Sequence, residues 1–292
     1  MFSVITCYIH PSEVERLRKN IGNTIGVPFE FIAYDNRGTS KGICQVYNEC
    51  AEKARFDNLC FVHEDFEFTT DGWGRKISEK LEEERCGVIG FAGSTIKTAA
   101  HAGWAPASHR DLRTNYTYLY KGKEKTRTCN PDNEDFSEVV TLDGMCLSCT
   151  KALWQQIRFD EQLLKGFHGY DIDYTLASKA AGYRNYVCHT VGVKHFSNGK
   201  YDLGWWEVNQ SINRKWEKEL PIYLRDISDF RKRLIDFRSK ADLTNTLGRE
   251  GIFIGKPMKY ILGYIAAHPF NGRSYKLLCR YIRARSSQKG CH

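Results

Sequence analysis

Leu59-Cys60-Phe61-Val62 is an apolar run that ends without transition in His63-Glu64-Asp65. A run this short and this apolar fits a strand buried on both faces, and such strands belong to sheets flanked by helices. In open α/β sheets ligands bind in the crevice beyond the carboxyl ends of the strands, so a histidine and two acids delivered there are placed for function. His63 and Asp65 share one side of an extended chain, which suits a divalent cation held against a phosphate-bearing ligand. A solvated strand end running into the turn Thr69-Thr70-Asp71-Gly72 accounts for the acids as well, and the rest of the chain must decide between the two.

The surrounding pattern alternates. Ser3 to Ile9 reads as a strand, Pro11 opens a helix through Lys19, and Phe29 to Tyr34 is a second strand that stops at Asp35-Asn36-Arg37-Gly38. Helix follows from about Ile43, because Ile43, Val46, Tyr47, Cys50, Ala51 and Ala54 repeat at the spacing of one helix face. An amphipathic helix from Gly74 to about Glu84 and a strand from Cys86 to Phe91 complete an α/β pattern, which predicts a mostly parallel sheet wrapped by helices. Gly93 to Glu138 lacks this order and is rich in polar and aromatic residues, as binding loops are; a surface excursion without a role is the plainer alternative. Regular structure returns as a strand over Val139 to Ser148, a helix over Lys151 to Ile157, a helix over Asp171 to Ala181, and a strand pair, Tyr186 to His189 and Val191 to His195. From Pro221 onward basic amphipathic helices are expected, with one break near Gly248 to Gly255. The predicted domains are 1–220 and 221–292, without internal repeats.

The chain has 292 residues, enough for one large domain with an appendage. It has no apolar stretch of about 18 residues, and Met1 to Ile9 reads as a strand without a basic leader, so a cytoplasmic protein is expected. The 11 cysteines are dispersed through apolar patterns, which favours reduced, buried thiols. Cys146 and Cys149 form one CxxC, but no second pair stands at zinc-finger spacing and no thioredoxin-like context surrounds them. Much of the formal net charge of +8 lies after residue 221, which suits an anionic surface such as the inner face of a membrane. No helix-turn-helix, finger or RNA-binding signature points to nucleic acid.

Acidic strand or loop ends recur in order: Asp35, Asp65, Asp143, then Asp171 with Asp173, and finally His195 at the end of a late strand. This order resembles the family 2 glycosyltransferases over about residues 1 to 220. Their GT-A fold implies a Rossmann-like sheet that binds a nucleotide sugar and holds a metal on a DxD motif, and His63-Glu64-Asp65 stands in the place of DxD. Its His-x-Asp form is similar to that of the streptomycin-biosynthesis glycosyltransferase-like subgroup. The resemblance implies that Asp65 ligates Mn²⁺ or Mg²⁺ with His195, and with His63 in place of the first acid; His189 is a second candidate for the late histidine. A lone histidine at a strand end is otherwise an ordinary hydrogen-bonded residue.

Phe167-His168-Gly169-Tyr170-Asp171-Ile172-Asp173 falls where the family has its Glu-Asp or Tyr-Asp motif. Both carboxylates would stand at a helix N-terminus, where capping is the plain role and the expected one for Asp173. Asp171 is the candidate general base for the acceptor hydroxyl. Asp35, Asn36, Lys41, Glu64 and Asp143 are the candidates for the donor pocket, although Asn36-Arg37-Gly38 is also a good turn. Trp104, Trp205 and Trp206 could stack on sugar rings or belong to the core.

The expected activity is metal-assisted, inverting transfer of a hexosyl-type sugar from a nucleotide diphosphate sugar, a UDP-sugar first, to a hydroxyl of a saccharide or lipid-linked acceptor, as in polysaccharide biosynthesis. Two alternatives remain. One is a nucleotide- or carbohydrate-binding protein that has lost turnover. The other is a nucleotidyltransferase, although no glycine-rich phosphate loop follows the first strand.

Overall fold

A computed structural model describes residues 1–106, 108–197, 201–253, 257–267, 269–270 and 272–289. The chain opens as β1 (Phe2–Tyr8), α1 (Pro11–Thr24), β2 (Phe29–Asp35), α2 (Ile43–Lys53) and β3 (Asn58–Val62). β1 lies between β2 and β3 and runs parallel to both. Alternation along the strands splits the core: Leu59 and Phe61 pack with Ile43, Val46 and Tyr47 of α2, whereas Cys60 and Val62 pack with Leu17 and Ile21 of α1 on the other face.

After β3 the chain leaves this sheet. β4 (Phe66–Phe68) belongs to a second sheet, so His63-Glu64-Asp65 is the link between the two. α3 (Trp73–Leu81), β5 (Cys86–Gly90), β6 (Ala92–Ser94), β7 (Ile96–Lys97), β8 (Leu112–Tyr120), β9 (Lys123–Cys129), β10 (Phe136–Val139), β11 (Thr141–Leu142) and β12 (Cys146–Thr150) follow. Next come α4 (Lys151–Ile157), α5 (Tyr170–Ala180), β13 (Arg184–Cys188) and β14 (Val193–His195). The first sheet has the order β10-β13-β5-β12-β3-β1-β2, and the second β11-β6-β8-β14-β4 with β9 on β8.

The α/β class holds, with helices against a sheet that is mixed. β12 enters antiparallel between β3 and β5, and β10 is antiparallel on the edge. Three sequence expectations are corrected. Residues 93–138 are not an irregular loop, because β9 pairs with β8 along its whole length, from Thr114↔Cys129 to Tyr120↔Lys123. The single strand expected over Val139 to Ser148 is three pieces, broken at Asp143-Gly144, where β11 in the second sheet gives way to β12 in the first. The strand pair near the end separates likewise: β13 lies in the first sheet and β14 in the second.

α6 (Leu203–Lys215) was not expected. It is capped by Asp202, whose side chain accepts from the Trp205 amide. β15 (Ile222–Tyr223) then pairs with β7. α7 (Asp229–Arg249), α8 (Pro257–Ala267) and α9 (Gly272–Lys289) form the basic extension, with two breaks where one was expected. Arg231 of α7 donates to Asp111 (2.9 Å) and Arg225 to Asp132 (3.0 Å), tying the extension to the sheets. Its own small core joins Ile261, Leu277 and Tyr281. Among the described residues no helix is long and apolar enough to cross a membrane. Cys146 and Cys149 are buried on β12, and burial pushes the Cys149 thiol up to about 12, so it stays a thiol.

Candidate metal and donor site

Two strand registers assemble the site. β14 runs antiparallel to β4 with His195 opposite Phe66, and the Phe196 amide donates to the Asp65 carbonyl (3.1 Å), which brings His195 onto Asp65. β12 runs antiparallel to β3 with Cys146 opposite Val62, and the His63 amide donates to the Met145 carbonyl (3.1 Å), which sets Asp143-Gly144 beside His63. Three donor atoms converge as a result. His195 Nε2 lies 3.3 Å from His63 Nδ1 and 3.4 Å from Asp65 Oδ1. Among the described residues these three are the group whose donor atoms lie within 4.8 Å of one another, as a metal requires.

The tautomer of His63 follows from its other side. Tyr170 Oη donates to the Gly144 carbonyl (2.7 Å), so it accepts from His63 Nε2 (2.7 Å), and Nδ1 is left with its lone pair facing the group. Burial, reinforced by His195, pushes His63 down to about 3, so the ring is neutral. Burial also opposes ionisation of Asp65, but the hydrogen bond and charge of His195 outweigh it and hold the carboxyl well below the usual range. Burial lowers His195, yet its contact with Asp65 raises it above its ordinary value. Two ligands about 2.1 Å from an octahedral divalent ion stand about 3.0 Å apart at right angles, close to the observed spacings. One carboxylate and two imidazoles, one of them with a fixed lone pair, fit such an ion.

Asp171 joins the site through the Gly144 peptide that also holds Tyr170. It is the second residue of α5, entered through Gly169 at φ 82°, and its Oδ2 accepts from the Gly144 amide (3.1 Å). Burial, and then the neighbouring charge of Asp143, push its carboxyl up to about 7 against the amide donors that favour the anion. Gly144 therefore takes Tyr170 on its carbonyl and Asp171 on its amide. A Cβ at this position would run into the Tyr170 ring.

The sequence profile of the Glycosyltransferase like family matches residues 3–213. The chain belongs to this glycosyltransferase-like family. Among curated proteins none matches it in sequence. Solved structures similar in fold are glycosyltransferases of the GT-A type. GalNAc-T7 with UDP, GalNAc and Mn²⁺ has a TM-score of 0.53 at 10% identity, covering 75% of this chain and 49% of that one. This chain thus spans about half the length of GalNAc-T7. The Staphylococcus aureus TarS segment 1–349 with UDP-GlcNAc has a TM-score of 0.50 at 14% identity, covering 97% of this chain and 81% of that one. The same segment with UDP has the same score and identity over 89% and 74%. At these identities the likeness shows the GT-A fold.

Within this glycosyltransferase-like fold the structure gathers His63, Asp65, His195, Asp143 and Asp171 and leaves other expected residues elsewhere. Both oxygens of Glu64 are engaged at the loop after β1, accepting from the Ile9 and His10 amides (3.1 and 2.8 Å) and meeting His10 Nδ1 (2.9 Å). In this arrangement the Glu64 carboxylate braces the loop after β1. Asp35 is held in a bidentate pair by Arg37, which lowers its carboxyl to about 2. Asn36 donates to the Lys41 carbonyl (3.2 Å), and Lys41 Nζ sits 2.6–2.7 Å from both Glu49 oxygens, so a phosphate there competes with Glu49. Asp143 accepts from the Met145 amide (3.0 Å). His189 meets Ser137 (3.1 Å) away from the group. Asp173 is buried and receives Lys215 Nζ (2.8 Å) and Trp216 Nε1 (2.7 Å), which anchors α6 to α5.

Two residues were missed. Tyr170, read as part of a motif, orients His63, and its position just before Asp171 was the available signal. Phe167, exposed, holds its ring 5.4 Å from that of His63, at a distance no periodicity reveals.

Proposed function

We propose that the chain transfers a sugar from a nucleotide diphosphate sugar, a UDP-sugar first, to an acceptor hydroxyl, with inversion. The observation that carries this is the convergence of His63 Nδ1, His195 Nε2 and Asp65 Oδ1 at the end of β3, next to a carboxyl poised near neutrality on Asp171. A Mn²⁺ or Mg²⁺ ion held by those three side chains would neutralise the charge that grows on the departing diphosphate. Asp171 takes the proton of the acceptor hydroxyl as that oxygen forms its bond to the anomeric carbon, and the bonding pair leaves with the diphosphate. With the base on one face and the leaving group on the other, the configuration inverts. A proton affinity near neutrality lets Asp171 be ionised and still attract the proton, and Asp143 supplies part of that affinity.

The donor's nucleotide lies along Asp35, Asn36 and Lys41 in this reading, and the ligand set His63-x-Asp65 supports a place near the streptomycin-biosynthesis subgroup. Tyr201, stacked edge-on against Trp205 (5.1 Å), and Trp206 against His101 (5.3 Å) offer aromatic faces for a saccharide or lipid-linked acceptor handled in the cytoplasm. The bound UDP of TarS and the bound UDP, GalNAc and Mn²⁺ of GalNAc-T7 favour the same donor and cofactor class. The test is a panel of nucleotide sugars and saccharide acceptors with Mn²⁺ or chelator, following nucleotide release and the anomeric configuration of the product. Formation of a nucleotide sugar and inorganic pyrophosphate from a nucleoside triphosphate and a sugar 1-phosphate, in a parallel assay, would mean a nucleotidyltransferase, and donor binding without turnover would mean a binding protein.

A further inference from the structure

We propose that the outward face of the α8–α9 hairpin docks on an anionic lipid bilayer, lying in its interface. From residue 251 to the end the sequence has eight Lys and Arg residues and no Asp or Glu, so the formal excess of +8 resides entirely in this segment and residues 1–250 are balanced. The charge is paired with apolar groups that the fold does not use. Ile261, Leu277 and Tyr281 fill the small core between the helices. Met258 and Leu262, one turn apart on α8, are exposed instead, and Phe270 in the connection is wholly exposed.

α9 repeats this arrangement along its length. Tyr275, Cys279 and Ile282 form an exposed line at i, i+4 and i+7, and Lys276, Arg280 and Arg283 form a second exposed line at the same spacing beside it. Cations adjoining aliphatic and aromatic side chains on an outward face match an anionic interface, where the charges meet headgroups and the apolar groups enter the acyl boundary. A nucleic acid would satisfy the cations and leave Leu262, Phe270 and Ile282 in water. The arrangement therefore favours lipid.

The experiment is flotation of the full chain with vesicles of phosphatidylcholine alone and of phosphatidylcholine with phosphatidylglycerol. Binding to the anionic vesicles is expected, with little to the neutral ones. The triple variant Leu262→Ser, Phe270→Ser, Ile282→Ser, which touches exposed positions alone, is expected to lower binding by about tenfold or more, and Lys276→Gln, Arg280→Gln, Arg283→Gln by a similar factor. Equal binding to both vesicle types, or no binding to either, overturns the proposal. So does undiminished vesicle binding by the serine variant, and so does tight binding of duplex DNA in place of vesicles. Circular dichroism melting of each variant separates loss of binding from loss of the hairpin.

Discussion

Tyr170 decides which nitrogen His63 offers. Because its hydroxyl hydrogen goes to the Gly144 carbonyl, it must accept from Nε2, and the lone pair of Nδ1 is turned to Asp65 and His195. The phenol is buried, so no water takes over this task when it is removed.

Tyr170→Phe is therefore expected to weaken Mn²⁺ binding by about 10–100-fold, the usual effect of losing the partner of a ligating histidine. Titration calorimetry, or paramagnetic resonance of free Mn²⁺, reads this directly. Unchanged affinity would show that the tautomer is set elsewhere.

Asp65→Asn should abolish the dependence of donor binding on the metal and leave the fold intact, since the amide keeps the shape and loses the charge. The comparison is donor affinity in wild type and variant, each with Mn²⁺ and with chelator. A variant as sensitive to chelator as the wild type removes Asp65 from the ligand set.

Asp171→Asn is expected to slow transfer by about a hundredfold to ten-thousandfold while donor affinity is kept. It should also stabilise the protein at alkaline pH. The folded carboxyl holds its proton up to about 7, well above its ordinary 3.8, so the wild type loses stability as pH rises from about 4 and has lost the full amount above about 7. Asparagine does not titrate. The variant should melt higher than wild type at pH 8, with a gain in stability of on the order of 4 kcal/mol, and alike at pH 4. Identical melting at both pH values would mean that Asp171 is ionised throughout.

The same carboxyl shapes the rate. Transfer by the wild type should rise with pH along a limb centred near 7 as Asp171 becomes a base, and Asp143→Asn should move that limb downward by removing a like charge. A limb that stays in place in the variant excludes the coupling.

Asp173, two residues on, should behave in the opposite way. Asp173→Ala leaves Trp216 Nε1 buried without an acceptor and removes a charged hydrogen bond, for a loss of about 2–3 kcal/mol of stability with the rate intact well below the melting temperature. Thermal melting alongside an activity assay distinguishes this anchor from the base.

The ends of β2 and β3 and the start of α5 were legible because short apolar runs and helix-face spacing are local signals, and the acids that follow them interrupt those signals abruptly. The β8–β9 hairpin was not, since Lys123 to Cys129 carries no buried alternation to betray a strand: one side of the ribbon is solvent. α6 was obscured by Asn209 and Asn213, polar residues buried on the face that should have read as apolar. The breaks at Asp143-Gly144 and between β13 and β14 come from strands changing sheets, which depends on partners far away in sequence. For the same reason Asp65 and His63 could be picked from the sequence, His195 came through a family resemblance, and the tautomer set by Tyr170 was out of reach.

The position of His63-Glu64-Asp65 between two sheets makes ligand binding a witness of assembly. His63 closes a strand of the first sheet, His195 rides on a strand of the second, and Asp65 meets it when β14 has found β4. A chain that had formed one sheet without seating the other would own an incomplete set and would hold the ion poorly. Metal and donor would then select the fully seated state by mass action, so apo protein should sample a half-undocked form that loaded protein suppresses.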